Sequence, residues 1–116
     1  MPQKTLHESH FLIPLCRDKE ISDGEIHTTR NWRWHERELL KHFEGWTKAP
    51  GQFTGQWKSS KTGQPINDIL VQYVVAVPKK RLTVLRVILQ RACVRFGQQC
   101  IYLSIGGIVE FIEPEL

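Results

Sequence analysis

Histidine is the residue type in this chain best suited to acid–base or metal chemistry, and the sequence contains five histidines. His35 and His42 fall two helical turns apart, and His7 and His10 lie together near the first predicted strand. Neither pair has the i, i+4 spacing with which two histidines bind one metal ion from a helix, and no carboxylate nearby completes a ligand triad. We therefore predict surface or core histidines and no metal site.

A nucleophile or a catalytic acid is equally hard to identify. The three cysteines are an odd number without a C-x-x-C motif, which argues against a disulfide framework or a zinc site. Cys93 lies beside the apolar stripe of a predicted helix, where a thiol is usually inert packing. Asp18, Asp68 and Glu110 meet only if the fold brings them together. No residue is predicted to be catalytic and no cofactor is predicted, so the sequence does not favour an enzyme.

Positive charge is concentrated in one segment. Residues 69–109 contain six cations and no Asp or Glu, whereas the whole chain has a formal charge of only +4. One interpretation is a surface that neutralises the phosphates of a nucleic acid or another anionic partner. The alternative is a set of solvated side chains around a buried stripe, and the Lys/Arg-Gly-aromatic signature of RNA-recognition domains is absent. The predicted nucleic-acid-binding residues are Lys80, Arg86, Arg91 and Arg95.

Aromatic residues indicate a second candidate site. The stretch GWTKAPGQFTGQWKSSKTGQP, residues 45–65, holds two of the four tryptophans and four of the eight glycines. We interpret it as a structural arm that contains a strand, with a ligand rim as the alternative. A ligand would then contact the rings of Trp46, Trp57, Tyr73 and Tyr102.

Apolar periodicity and turn residues assign these candidates to secondary structure. Apolar residues recur at helical spacing in 28–43 and 78–96, and Gly45 and Gly97 end the two predicted helices. Alternation and β-branched content predict strands, with Gly106 and Gly107 forming the tight turn of a terminal hairpin. The predicted strands are 10–17, 53–58, 68–77 and the two halves of 99–112.

The order of these elements defines a fold class. It is β-α-β-β-α-β with an additional C-terminal hairpin strand, which predicts an α+β, ferredoxin-like two-layer sandwich. We expect a single domain over residues 1–116, with an ordered core of about 10–112. Right-handed crossovers place both helices on one face of the sheet. The other face keeps apolar surface, which predicts homodimerisation through the sheet, with coverage by the chain's own loops as the alternative.

Two stretches, RFGQQCIYLSIGGIVEF and GWTKAPGQFTGQW, resemble uncharacterised bacterial proteins with a ferredoxin-like fold that are grouped as domains of unknown function. In those proteins a helix ends in Phe-Gly-Gln before a strand, and an earlier Gly/Trp strand leads into a turn. The similarity covers roughly residues 10–112. It implies the fold and no activity, and it transfers no catalytic residue.

Composition restricts the remaining choices. No apolar run approaches the roughly 20 residues of a membrane-spanning helix, and the N-terminal residues lack a signal-peptide pattern, so we expect a cytoplasmic protein without a membrane partner. The leading prediction is a non-catalytic binding or regulatory module that homodimerises through its sheet. The alternatives are a nucleic-acid-binding protein that uses the basic second helix, and a small enzyme with a pocket between the sheet and the 45–65 arm.

Overall fold

The computed structural model describes residues 5–115, which form six strands, two α-helices and one 3₁₀ helix. The strands are β1 (Leu6–Pro14), β2 (Thr47–Lys48), β3 (Phe53–Lys58), β4 (Pro65–Pro78), β5 (Ile101–Ile105) and β6 (Ile108–Ile112). The helices are α1 (Thr29–His42) and α2 (Leu82–Arg95), and Lys79–Arg81 form the 3₁₀ turn that precedes α2.

All six strands belong to one antiparallel sheet. β1 and β4 are at its centre and pair from Leu6 opposite Pro78 to Pro14 opposite Leu70. β5 pairs with the other edge of β1, and β6 follows β5 on that side. β2 and β3 pair with successive parts of the outer edge of β4. The order across the sheet is therefore β6-β5-β1-β4, with β2 and β3 beyond β4.

The two helices each present one apolar stripe. α1 begins after Thr28, whose hydroxyl accepts the backbone N–H of Asn31 at 3.4 Å, and its inner face buries His35 and Leu39. The buried residues of α2 recur at helical spacing and are Leu85, Ile88, Leu89, Ala92 and Cys93. No helix in the described part of the chain is long and apolar enough to cross a membrane.

Both helices cover the same face of the sheet. The ring of His35 in α1 lies 5.4 Å from that of Phe11 in β1, and the thiol of Cys93 in α2 donates to the carbonyl of Ile112 in β6 at 3.0 Å. Alternate strand residues on this face are buried, namely Phe11, Ile13, Val71, Tyr73, Val75, Val77, Ile101 and Leu103. The predicted α+β two-layer architecture is confirmed.

Some elements differ in extent from the prediction. β1 starts at Leu6 rather than at residue 10, because the long strand β4 provides partners as far as Pro78. β4 itself begins at Pro65, where Lys58 of β3 pairs with it. β2 was not predicted, since two residues carry no periodic signal.

Candidate functional site

The face of the sheet opposite the helices, here called the open face, contains two adjoining cavities. The first has a volume of about 520 Å³, within the range of small-molecule sites. Its floor is the open face itself, and its sides come from β3 and from the turn that leads into β5. We call it the acidic cavity because two carboxylates line it, although Lys58 also belongs to its lining. The residues that define it are Leu12, Trp57, Leu70, Tyr102, Phe111, Asp18 and Asp68.

Trp57 and Asp68 form the central polar contact of the acidic cavity. The register of β3 and β4 sets Gly55 opposite Asp68 and Trp57 opposite Ile66, so the indole and the carboxylate are diagonal neighbours on one face. The indole Nε1 donates to Oδ2 of Asp68 at 2.7 Å. Burial raises the pKa of Asp68, the Trp57 hydrogen bond opposes this, and the charge of Asp18 adds to the increase. The carboxyl group is therefore poised to respond to a bound charge.

Gly55 keeps the cavity open between these two side chains. A Cβ atom at this position would lie 3.1 Å from Cδ1 of Leu70, which is closer than ordinary van der Waals contact. A larger residue would therefore displace Leu70 or fill part of the cavity.

Asp18 and Glu20, in the loop after β1, are hydrogen-bonded to Gln99 in the turn before β5. Gln99 donates through Nε2 to Oδ2 of Asp18 at 3.0 Å and to Oε1 of Glu20 at 3.3 Å. The hydroxyl of Ser59 also donates to Glu20 and, together with Gln99, lowers the pKa of that carboxyl. This network ties the loop to the arm that follows β3. The hydrogen bond from Gln99 thus holds the carboxylate of Asp18, which lines the acidic cavity.

Aromatic rings provide the apolar wall. Tyr102 of β5 and Phe111 of β6 are directly paired, and their rings meet edge to face at 5.9 Å. Phe111 is 65% exposed as a residue, so it offers surface to a ligand. Cys100 also lines the cavity, but burial raises its pKa, so at neutral pH it is a thiol and a poor nucleophile.

The second cavity adjoins the first along β1 and has a volume of about 500 Å³. We call it the His10 cavity. Its polar side is a chain in which Nδ1 of His10 lies 2.6 Å from Nε2 of Gln72, and Nε2 of His10 lies 3.3 Å from Oε1 of Glu8. With the Gln72 amide as donor, the imidazole proton is on Nε2, facing Glu8. Leu12 and Tyr102 line both cavities, which makes them one groove across the sheet.

The structure separates the four residues predicted to bind a ligand. Trp57 and Tyr102 both line the acidic cavity. Tyr73 lies on the helix-covered face, where its side chain is 0% exposed and its hydroxyl donates to Glu36 at 2.7 Å. Trp46 packs against it, with ring centroids 5.8 Å apart. Tyr73 belongs to the helix side of the sheet because β4 directs its odd-numbered side chains inward, and Trp46 lies on the same side through its contact with Tyr73.

The four predicted nucleic-acid-binding residues are also dispersed. Arg86 makes a bidentate ion pair with Glu110, at 2.9 and 2.8 Å. Arg95 bonds to Asn31 at 3.2 Å and lies over the ring of Trp34 at 4.7 Å. Lys80 precedes α2 and Arg91 is exposed two turns into it. Two of the four cations already have protein partners, and their use in nucleic-acid binding stays a prediction.

Several residues that line the groove were not predicted from the sequence as site residues, namely Phe111, Gln99, Glu8 and Gln72. His10 was considered as a candidate acid, base or metal ligand, but its contact with Gln72 depends on the register of β1 and β4. One signal was present. Gln72 interrupts the apolar run of β4, which indicates that its side of the strand faces something other than the core.

Comparison with known proteins identifies fold neighbours but no family. No family model matches the sequence, and no curated protein matches it. A solved structure described as phage SAM lyase in complex with S-methyl-5′-thioadenosine has a TM-score of 0.72 at 15% identity, over 99% of this chain and 95% of that chain. Phage SAM lyase in its apo state gives a TM-score of 0.69 at 14% identity, over 100% of this chain and 97% of that one. At this identity the likeness shows the fold.

The comparison corrects the leading functional prediction. A non-catalytic module was expected, yet the solved chains that share the fold over nearly its full length are those of an enzyme. The predicted homodimer and nucleic-acid partner gain no support from these findings. The resemblance to uncharacterised bacterial proteins is not contradicted, although the fold neighbours belong to no such group.

Proposed function

We propose that this chain is an enzyme that binds S-adenosylmethionine (SAM) in the groove of the open face and acts as a SAM lyase. The observation that carries the proposal is the Trp57–Asp68 pair beside the rings of Tyr102 and Phe111. Aromatic faces and carboxylates are the groups that attract a cation with little hydration, such as the sulfonium of SAM. The fold shared with phage SAM lyase supports the same assignment.

The proposed reaction breaks the bond between the sulfonium sulfur and the carbon of the amino-acid side chain. The electron pair stays on sulfur, which becomes the neutral thioether of S-methyl-5′-thioadenosine. No water enters the products of a lyase, so we propose that a carboxylate oxygen of the same amino-acid fragment attacks this carbon as the C–S bond breaks, which closes a lactone. Because positive charge disappears from sulfur along this path, Asp68 and the aromatic rings contribute mainly to binding the charged substrate, and catalysis must come from holding the reacting atoms of the substrate in place.

Two parts of the substrate have matching surroundings in the groove. The adenosine would stack on Tyr102 or Phe111 in the acidic cavity, while Asp68 faces the sulfonium. The amino-acid end would extend past Tyr102 into the His10 cavity, where Glu8 and the amide oxygen of Gln72 are acceptors for its ammonium group. The two cavities therefore suit a ligand longer than a nucleoside.

We also propose a ferredoxin-like strand order and a cytoplasmic location for this chain. We infer that the fold is ferredoxin-like with an additional strand, because the order β5-β1-β4-β3 is that of the split βαβ arrangement and β6 extends it. The three cysteines are free, which agrees with a cytoplasmic location.

The test is to incubate the purified protein with SAM and quantify S-methyl-5′-thioadenosine by liquid chromatography and mass spectrometry. We expect product above the non-enzymatic rate, and an increase of at least about tenfold in the KM for SAM in Asp68→Asn, which removes the charge but keeps an acceptor for Trp57. Glu25→Gln is the matched control, because Glu25 is an exposed carboxylate outside the groove. Failure to form product, together with no binding of S-methyl-5′-thioadenosine at about 1 mM, would rule the proposal out.

A further inference from the structure

A third cavity lies at the other end of the central strands and differs in charge from the groove. Its volume is about 490 Å³, and it is bounded by the end of α1, the start of β1 and the 3₁₀ turn before α2. Its apolar lining includes Leu6, Phe43, Ala76 and Pro78. Four basic side chains also line it, namely Lys41, His42, Lys80 and Arg81, so we call it the basic cavity.

Arg81 is held in place within this lining although it has no anionic partner. Its guanidinium lies over the ring of Phe43 at 5.9 Å, and its Nη2 is 3.5 Å from Nδ1 of His42. Its Nε is buried and makes no hydrogen bond. This N–H is shielded from the cavity as well as from water, so contacts from Arg81 to a ligand would come from its Nη groups.

The described residues supply little compensating negative charge. Neither the 3₁₀ turn nor the first turn of α2 contains an acidic residue. Across residues 5–115, no carboxylate is within ion-pair distance of Arg81, Lys41 or Lys80. Glu38 pairs with His42 at 3.6 Å, and Glu44 also lines the cavity. Three full positive charges and one carboxylate, that of Glu44, therefore line this cavity beside the Glu38–His42 pair.

We propose that the basic cavity binds a small oxyanion of phosphate type, with an apolar substituent of the same ligand against Leu6 and Phe43. The planar guanidinium of Arg81 suits two oxygens of one phosphate group, and Lys41 and Lys80 neutralise its remaining charge. The six-cation segment noted in the sequence thus has its functional part in Lys80 and Arg81, where α1 contributes further cations.

The basic cavity is distinct from the acidic cavity, although Glu8 of the His10 cavity pairs with Ala76 of the basic cavity. The basic cavity includes Leu6 at the start of β1, and the acidic cavity includes Pro14 at its end. At about 3.3 Å per residue, these ends lie roughly 25 Å apart, so one small ligand cannot occupy both.

The test is a calorimetric titration of the protein with phenyl phosphate and with inorganic phosphate at low salt. We expect saturable binding of phenyl phosphate, weakened at least about tenfold in Arg81→Gln and about threefold in Lys80→Gln. Arg91→Gln is the matched control: it removes the same charge from an exposed position in α2, and it should leave binding unchanged.

Two results would overturn the proposal. One is the absence of saturable binding for both ligands up to about 10 mM. The other is an equal loss of affinity in Arg91→Gln and Arg81→Gln, which would indicate attraction by net charge alone. Should Arg81→Gln fail to fold, the exposed pair Lys41→Gln/Lys80→Gln provides the same comparison.

Discussion

At the scale of single residues, Asp68 shows how the fold creates chemistry that the residue type does not have by itself. In the sequence it is one polar residue beside Asn67, and either a turn or a strand start suits it. Pairing with Trp57 across eleven positions of chain depends on the register of β3 and β4. Local patterns do not specify that register, so the carboxylate could be proposed from the sequence but its partner could not.

His35 is the residue whose burial has the clearest consequence for stability. It was considered for metal binding, but it lies in the core, where burial lowers its pKa to about 3 and both ring nitrogens lack hydrogen-bond partners. Its ring instead packs edge to face on Phe11 and Tyr73, at 5.4 and 5.0 Å. The folded protein therefore keeps a neutral imidazole inside an aromatic cluster.

This pKa predicts a loss of stability in mild acid. Below the ordinary pKa of 6.5, the unfolded chain binds a proton at His35 that the folded chain does not bind until about pH 3. The free energy of unfolding should fall over this interval by up to about 1.4 kcal/mol per pH unit. Urea unfolding of wild type and His35→Leu at about pH 7.5 and pH 5 measures the difference.

The variant should lose part of this pH dependence. His27 also has a lowered pKa through burial, so it contributes in the same direction in both proteins and does not affect the comparison. An equal loss of stability in wild type and His35→Leu would contradict the assignment of this effect to His35.

At the scale of elements, the sequence predicted the helices and strands whose own residues show apolar periodicity or alternation. The spacing of apolar residues indicated helices over 28–43 and 78–96, and the structure has α1 at Thr29–His42 and α2 at Leu82–Arg95. The strands β3, β5 and β6 were found by alternation and by the Gly106-Gly107 turn. β2 and the first residues of β4 were missed, because they are extended by pairing with neighbours rather than by their own composition.

The hairpin between β5 and β6 allows a prediction at this scale. Gly106 and Gly107 have φ values of 57° and 84°, and nothing lies within 4 Å of a Cβ atom added to either. A substitution there tests backbone strain alone. We expect Gly107→Ala to lower the free energy of unfolding by about 1–2 kcal/mol, measured by urea denaturation.

Gly45→Ala is the appropriate comparison for this variant. Gly45 also has open space around its Cβ direction, but it is not among the glycines with positive φ. It should leave stability unchanged or increase it slightly. If both variants are equally stable, the turn does not require its left-handed conformation.

At the scale of the whole molecule, the sheet separates two tasks. Its inner face holds the helices and the core, while its open face carries the groove with Trp57, Asp68 and Tyr102. The sequence predicted apolar surface on that second face and favoured a dimer interface there, with a pocket between the sheet and the 45–65 arm as one alternative. The cavity depends on how side chains of β3, β4 and β5 and the turn before β5 are placed around it, and neither composition nor periodicity specifies that placement.

Charge is distributed in a way that supports the same division. Carboxylates line the acidic cavity, whereas Lys41, Lys80 and Arg81 converge at the opposite end of the central strands. The net charge of +4 conceals this arrangement, because it sums over both ends. A sulfonium ligand and a phosphate-type ligand would therefore be directed to different places on one small protein.

The most direct measurement of the central claim is a titration of ¹⁵N-labelled protein with S-methyl-5′-thioadenosine, followed through the tryptophan indole N–H signals. The indole of Trp57 donates to Asp68 within the groove, whereas Trp34 lies on α1 beneath Arg95, away from it. With Trp57→Phe used to assign its signal, we predict a saturable shift of the Trp57 resonance and none of the Trp34 resonance. A shift confined to Trp34 or Trp46, or no shift at saturating ligand, would contradict the assignment of the groove as the nucleoside site.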